Sequence, residues 1–159
     1  MEPRIEILTR KMLIGQHIKM SLIHNKTGVL WGQFAPRIKE VPNRVSADKI
    51  SMQIYPADYY QPFNPANEFE KWATVEVSSF EDIPEGMDTF VLEGGLYAVF
   101  DYKGSSSDPS IFQYIYSQWL PRSKYVVDDR PHFEVLGEKY QNNSPDSEEE
   151  IWIPVREKA

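Results

Sequence analysis

The pentapeptide HFEVL, residues 132–136, sets a histidine and a carboxylate two positions apart in a run that reads as a β-strand. Period-two alternation places His132, Glu134 and Leu136 on one face and Phe133 and Val135 on the other. If Phe133 and Val135 meet an apolar layer, Glu134 points the opposite way, into water as on an open sheet or into a pocket. A carboxylate walled by Tyr and Trp is poorly hydrated, which raises its pKa and makes a cation a better partner than water. Aromatic faces attract the same cation through their quadrupoles. Such a site selects flat, apolar, often positively charged molecules. The same raised carboxylate could serve as a general base, with His132 beside it, so these residue types alone do not separate a binder from an enzyme.

Aromatic walls are available, since the 159 residues include nine Tyr, eight Phe and four Trp. Candidates are Trp31 and Phe34 on a first helix, Tyr55 at a strand end, Tyr116 and Trp119 on a second helix, and Trp152 on the last strand. Each could equally be core. Other chemistry has little support. The chain has no Cys, which removes thiol nucleophiles, thiolate zinc sites and disulfides and fits a reducing cytoplasm. Three His without metal-ligand spacing such as HExxH predict no metal, and no cofactor is expected because GxGxxG and GxxxxGK are absent. No GxSxG elbow occurs, and the serines of GSSSD read as a linker. A net charge of −7 argues against direct nucleic-acid binding. The charged N-terminal segment and the lack of an apolar run of roughly 18 to 20 residues predict neither a signal peptide nor a membrane span.

The elements that must position these residues follow from pattern. Residues 5–20 predict a strand bent or bulged at Gly15. Asn25, Lys26 and Thr27 offer capping chemistry before a helix through Leu30, Trp31, Phe34, Ile38 and Val41, kinked or broken at Pro36. Residues 49–55 and 70–79 predict strands joined by the long loop 56–69, whose Tyr59, Tyr60 and Phe63 suit either a lid or a cap on the core edge. Residues 89–103 read as strand interrupted at Gly94 and Gly95. Asp108 and Pro109 open the second helix, which ends at Pro121. Strands at 132–136 and 150–155 flank an acidic, mobile loop, with Glu148 to Glu150 as a solvated strand entrance.

The halves thus repeat the order strand, helix, strand, strand. Gly15 matches Gly95, Thr27 matches Asp108, Met52 matches Glu134 and Val75 matches Ile153, all about 80 residues apart, which suggests duplication. A β-α-β-β unit that cannot cover its own sheet gains by pairing with a second copy. The expected architecture is eight strands, fewer if some merge, in an antiparallel sheet with both helices on one face and a cleft along the pseudo-twofold axis.

GGLYAVFDYKG, the helix IFQYIYSQWLPRS, RPHFEVL and EIWIPV together resemble the second half of the GyrI-like family, and KISMQIY and WATVEVS stand at first-half positions. The resemblance covers nearly the whole chain. This is the effector-binding fold of gyrase-inhibitory proteins, of the C-terminal domains of some AraC-type regulators and of the multidrug-sensing domain of MerR-type regulators. It implies an α+β fold, a single domain over residues 1–159 built from pseudo-repeats of about 1–80 and 86–159, and a pocket between the halves with Glu134 as its carboxylate. The implied ligand-binding set is Glu134, Trp152, Tyr116, Trp119, Tyr55, Trp31 and Leu136. The chain departs from the family in lacking a DNA-binding helix-turn-helix ahead of the domain and in its longer loop 56–69. The expected function is binding of a small apolar, aromatic or cationic molecule, in sensing, sequestration or transcription regulation. Two alternatives stand beside it: hydrolysis of cyclopropane-bearing toxins with Glu134 as general base, and docking to a protein partner as the gyrase-inhibitory members do.

Overall fold

Apolar alternation yields the strands and helical spacing yields two helices in a computed structural model that describes residues 2–159. The strands are β1 (Arg4–Leu8), β2 (Lys11–Met20), β3 (Lys49–Ile54), β4 (Phe69–Val77), β5 (Asp88–Leu92), β6 (Gly95–Lys103), β7 (Tyr125–Val127), β8 (His132–Leu136) and β9 (Glu148–Glu157). Helix α1 (Thr27–Phe34) follows β2. Helix α2 follows β6 and is composite, with Ser110–Tyr114, a π turn over Ile115–Trp119, and a last turn Leu120–Arg122. The fold is α+β.

All strand neighbours are antiparallel, in the order β1-β6-β9-β8-β3-β4-β2-β5, with β7 added beside β9. Read outward from the central β3–β8 pair, the order is the same on both sides: β4, β2, β5 and β9, β6, β1. Ser51 lies opposite Glu134, and a twofold through that pair carries Ala73 onto Ile151, Val75 onto Ile153 and Ile14 onto Ala98. The expected match of Met52 with Glu134 is therefore off by one. Met52 pairs with Phe133 on the opposite face, and a one-residue slip in a strand always exchanges faces. By the same register Gly15 corresponds to Val99, not Gly95.

Only Thr9 and Arg10 separate β1 from β2, and only Glu93 and Gly94 separate β5 from β6, yet each pair joins opposite ends of the sheet order. The sheet must curl until its ends meet. Its inner face encloses a cluster that includes Leu13, Met52, Trp72, Tyr97, Phe133 and Trp152. Where the two links pass each other, a Cβ on Gly94 would overlap the Leu8 carbonyl oxygen, so only glycine fits.

Both helices pack on the other face. Ser51, Ala73, Glu134 and Ile151 stand directly opposite one another across four strands and so share that face. Leu30 and Phe34 of α1 cover Ala73 and Val75, while Ile111, Ile115 and Trp119 of α2 cover Ile151 and Ile153. The middle of the sheet, between the helices, is left to the site.

Several expectations change. The bend in residues 5–20 falls at Thr9–Arg10, where the chain crosses between sheet ends. Gly15 stays inside β2, where a Cβ would overlap the Ala73 carbonyl oxygen. Helix α1 passes at Pro36 into a 3₁₀ turn, Ala35–Glu40. Pro121 lies within the last turn of α2 instead of ending it. It has no N–H for the Ser117 carbonyl, which accounts for the widened turn just before it. Nine strands form among the described residues because the short β7, with no alternation long enough to read, adds to the expected eight. The segment before β9 is tied down: the Gln141 N–H donates to Ser147 Oγ at 2.8 Å, the Glu148 N–H donates to the Lys139 carbonyl at 3.0 Å, and Ser147 is buried. The run Glu148 to Glu150 belongs to β9 itself.

Candidate functional site

Between the helices lies a cavity of about 750 Å³. Its floor is the centre of the sheet, from Gln53 on β3 and Lys71 on β4 to His132 and Glu134 on β8 and Ile151 on β9. Phe112 and Tyr116 of α2 form one wall, and Asn25 and Thr27 at the start of α1 stand at the other. The loop 56–69 supplies Tyr59, Tyr60 and Phe63. Tyr55 anchors that loop, its ring 4.6 Å from Tyr59 and 4.9 Å from Phe69, and Tyr60 reaches across to Tyr116 at 6.4 Å between ring centres.

The register explains why Glu134 faces this space. Phe133 pairs with Met52 and Trp152 on the enclosed face, so its neighbours in β8 must turn toward the helices. The approach to β8 is fixed from outside the site. The Arg130 guanidinium donates to the Leu96 and Val155 carbonyls at 2.6 and 3.1 Å, and Tyr97 Oη donates to the Pro131 carbonyl at 2.8 Å. Pinning the chain one residue before β8 holds the strand's alternation in phase.

Burial dominates the electrostatics. It pushes the Glu134 carboxyl above the ordinary carboxylate range, with the charge of Lys71 opposing it. Among the described residues no hydrogen-bond donor reaches that carboxyl, which leaves its oxygens to the cavity. Burial, then the neighbouring phenols and Glu134, holds the Tyr55 and Tyr116 hydroxyls well above their usual range, so both are neutral. His132 is pushed down to about 4 by burial and then by Arg130, which keeps the imidazole uncharged near pH 7. Its Nδ1 lies 3.3 Å from Tyr116 Oη, and its ring meets Tyr55 edge-on at 4.9 Å.

Two further ionisable groups lie on the same face. Lys71 is only 5% exposed, and burial pushes its ammonium down while Glu134 and Glu149 draw it up. With the Gln53 amide turned so that its oxygen meets Lys71 Nζ, Gln53 accepts from the amine and donates to the His132 carbonyl at 3.1 Å. Glu149 is pushed up to about 8 by burial and then by the charge of Glu134, against the pull of Lys71. It is therefore not a solvated strand entrance. Alternation along β9 puts it on the same face as Ile151.

Of the residues singled out from the sequence, the structure brings Glu134, Tyr55 and Tyr116 together at the cavity. Trp152 borders it along β9, but its ring lies on the opposite face, stacked on Phe133 at 5.1 Å, with Nε1 donating to Glu150 at 3.1 Å. Trp31 packs edge-on against buried Phe34 under α1. Trp119 stacks on Tyr125 and meets Phe100 edge-on in the core beneath α2. Leu136 shares the face of Glu134 but lies one step beyond the cavity, beside a second, acidic one next to Glu149. The sequence reading missed Lys71, Gln53, Glu149 and Phe112. A signal for Lys71 existed, because it alternates in phase with Ala73, Val75 and Val77 and so had to share their covered face.

The arrangement can hold an apolar cation: an unpaired carboxyl at the floor with neutral phenols around it. Among the described residues no cluster of three or more His, Asp or Glu is placed to bind a metal ion, and no helix is long and apolar enough to cross a membrane.

Comparison with known proteins agrees with the fold. A structure of SAV2435 bound to tetraphenylphosphonium is similar at a TM-score of 0.75 with 17% identity, covering 98% of this chain and 94% of that one. The C-terminal domain of EcmrR is similar at 0.71 with 13% identity, covering 99% and 98%. An integron cassette protein from the mobile metagenome of Vibrio cholerae is similar at 0.67 with 16% identity, covering 98% and 96%. No curated protein sequence matches the chain. The sequence profile of the Cass2 family, integron-associated effector binding protein, matches residues 4–155. With that match spanning nearly every element that builds the cavity, the chain belongs to the Cass2 family of effector-binding proteins, on the GyrI-like fold.

Proposed function

We propose that this chain, as one domain of two like halves, binds an apolar aromatic cation in the cavity between its helices, with Glu134 as counter-ion. The observation that carries this reading is the Glu134 carboxyl itself, half-buried at the floor of an aromatic cavity and, among the described residues, without a hydrogen-bond donor. A buried carboxylate without a partner is unfavourable, and a ligand cation relieves that penalty while meeting aromatic faces that favour it. The tetraphenylphosphonium seen with a structurally similar protein is a ligand of this class. Tyr55, Tyr59, Tyr60, Phe63 and Tyr116 supply the contact surface, and His132 stays neutral and holds Tyr116 in place. Binding of this kind serves sensing or sequestration of the molecule. The test is calorimetric titration of tetraphenylphosphonium into the wild type and Glu134→Gln. Saturable binding that weakens at least about tenfold in the variant, as loss of a buried charge partner should cause, supports the reading. Equal affinity in both overturns it.

A further inference from the structure

The proposed cation site leaves one buried charged group unused. Lys71 Nζ opens on the same cavity floor as Glu134; among the described residues its only hydrogen-bond acceptor is Gln53, and no carboxylate oxygen lies within 4.0 Å of it. An ammonium has three donors, so two are unspent on a side chain that is only 5% exposed. The floor therefore presents an unpaired acceptor and an unpaired donor side by side, too far apart to satisfy each other.

We propose that Lys71 determines ligand specificity, and that the cavity takes amphoteric aromatic molecules: a cationic group set against Glu134 and a carboxylate or other anionic oxygen set against Lys71. This rests on the cation reading of Glu134 and adds a second point of recognition to it. A purely cationic ligand neutralises Glu134 but brings a like charge toward Lys71. A ligand that also carries an anionic oxygen satisfies both groups, and its charge draws the ammonium of Lys71 back toward its ordinary protonated state. Lys71 and Glu149 occupy corresponding positions on β4 and β9, so the halves carry different ionisable groups at equivalent sites, and of the two only Lys71 lines this cavity.

Two probes with a common head separate the contributions: (4-carboxybutyl)triphenylphosphonium and its methyl ester, titrated by calorimetry into the wild type, Lys71→Met and Lys71→Arg. The acid should bind the wild type about tenfold or more tighter than the ester, as a charged hydrogen bond in a dry site should provide. Lys71→Met should bring the ratio to about one, and Lys71→Arg should retain a preference for the acid. Equal wild-type affinity for acid and ester overturns the role of Lys71 and leaves the cation reading standing. A ratio that survives in Lys71→Met overturns it as well. Tight binding of the acid with none of the ester, unchanged in Glu134→Gln, supports Lys71 and removes the cation reading. Should Lys71→Met not fold, the wild-type ratio and Lys71→Arg still decide.

Discussion

Ser51 and Glu134 face each other across the central strand pair, at the point where the two halves of the sheet meet. A near-symmetric frame thus presents a hydroxyl from one half and a carboxyl from the other, so the axis itself carries one ionisable group. Ser51 is 3% exposed, so a second carboxylate there would have no water to retreat to. Ser51→Asp would place two carboxyls with Cβ atoms about 4.5–5.5 Å apart. It should destabilise the protein by about 2 kcal/mol or more at pH 7, a loss that shrinks below about pH 5 as the pair shares protons. Urea unfolding at the two pH values checks this, and equal stability of variant and wild type at pH 7 would speak against a buried pair.

The aromatic walls contribute through their faces more than through their hydroxyls. Tyr116→Phe removes the hydroxyl's contacts with His132 and Tyr60 but keeps the ring, and should leave tetraphenylphosphonium affinity within about threefold, whereas Tyr116→Leu removes the quadrupole and should weaken it by about 3- to 30-fold. Fluorescence titration of both variants separates the cases. Equal losses in the two would assign the effect to the hydroxyl.

Stability should vary with pH on both sides of a maximum. Glu149, raised to about 8, favours the protonated form on folding, so its contribution is full below the ordinary carboxylate value and is lost as pH climbs toward 8. His132, lowered to about 4, behaves oppositely: its contribution is present above about 6.5 and is lost as pH falls toward 4. Glu149→Gln should flatten the alkaline limb and leave the acid limb, as read by Tm across a pH series. An unchanged alkaline limb would place that titration elsewhere.

Two glycines give a contrasting pair. Gly94→Ala should destabilise by more than about 2 kcal/mol, because its methyl meets the Leu8 carbonyl oxygen where the sheet ends cross. Gly32→Ala, inside α1 with nothing near the added carbon, should stabilise by about 0.5 to 1 kcal/mol. Chemical denaturation of both decides it, and a neutral Gly94→Ala would mean that the links do not cross so closely.

Period-two alternation made β3, β4, β8 and the core of β9 legible in the sequence, and with them the face on which Glu134 lies. The register between strands is not legible in the pattern: the spacing pairs Met52 with Glu134 where Ser51 belongs, since a one-residue error leaves the pattern intact while exchanging faces. Trp31 and Trp119 lie in the core and not at the site; helical spacing identifies a covered face without saying whether core or cavity covers it. Lys71 and Glu149 were passed over because charged residues are read as solvated. The burial of Lys71 depends on two helices from distant parts of the chain flanking the same strip of sheet.

The central claim, that one buried carboxylate sets the ligand's charge, is tested most directly by two ions of closely similar shape and opposite sign, tetraphenylphosphonium and tetraphenylborate. Their affinities should be measured by equilibrium dialysis at pH 7.5 against the wild type and Glu134→Gln. The wild type should prefer the phosphonium by about tenfold or more, and the variant should lose that preference while keeping its fold, since the aromatic walls remain and only the charge is gone. A wild type that binds both ions alike, or a variant that still prefers the phosphonium, would contradict the account.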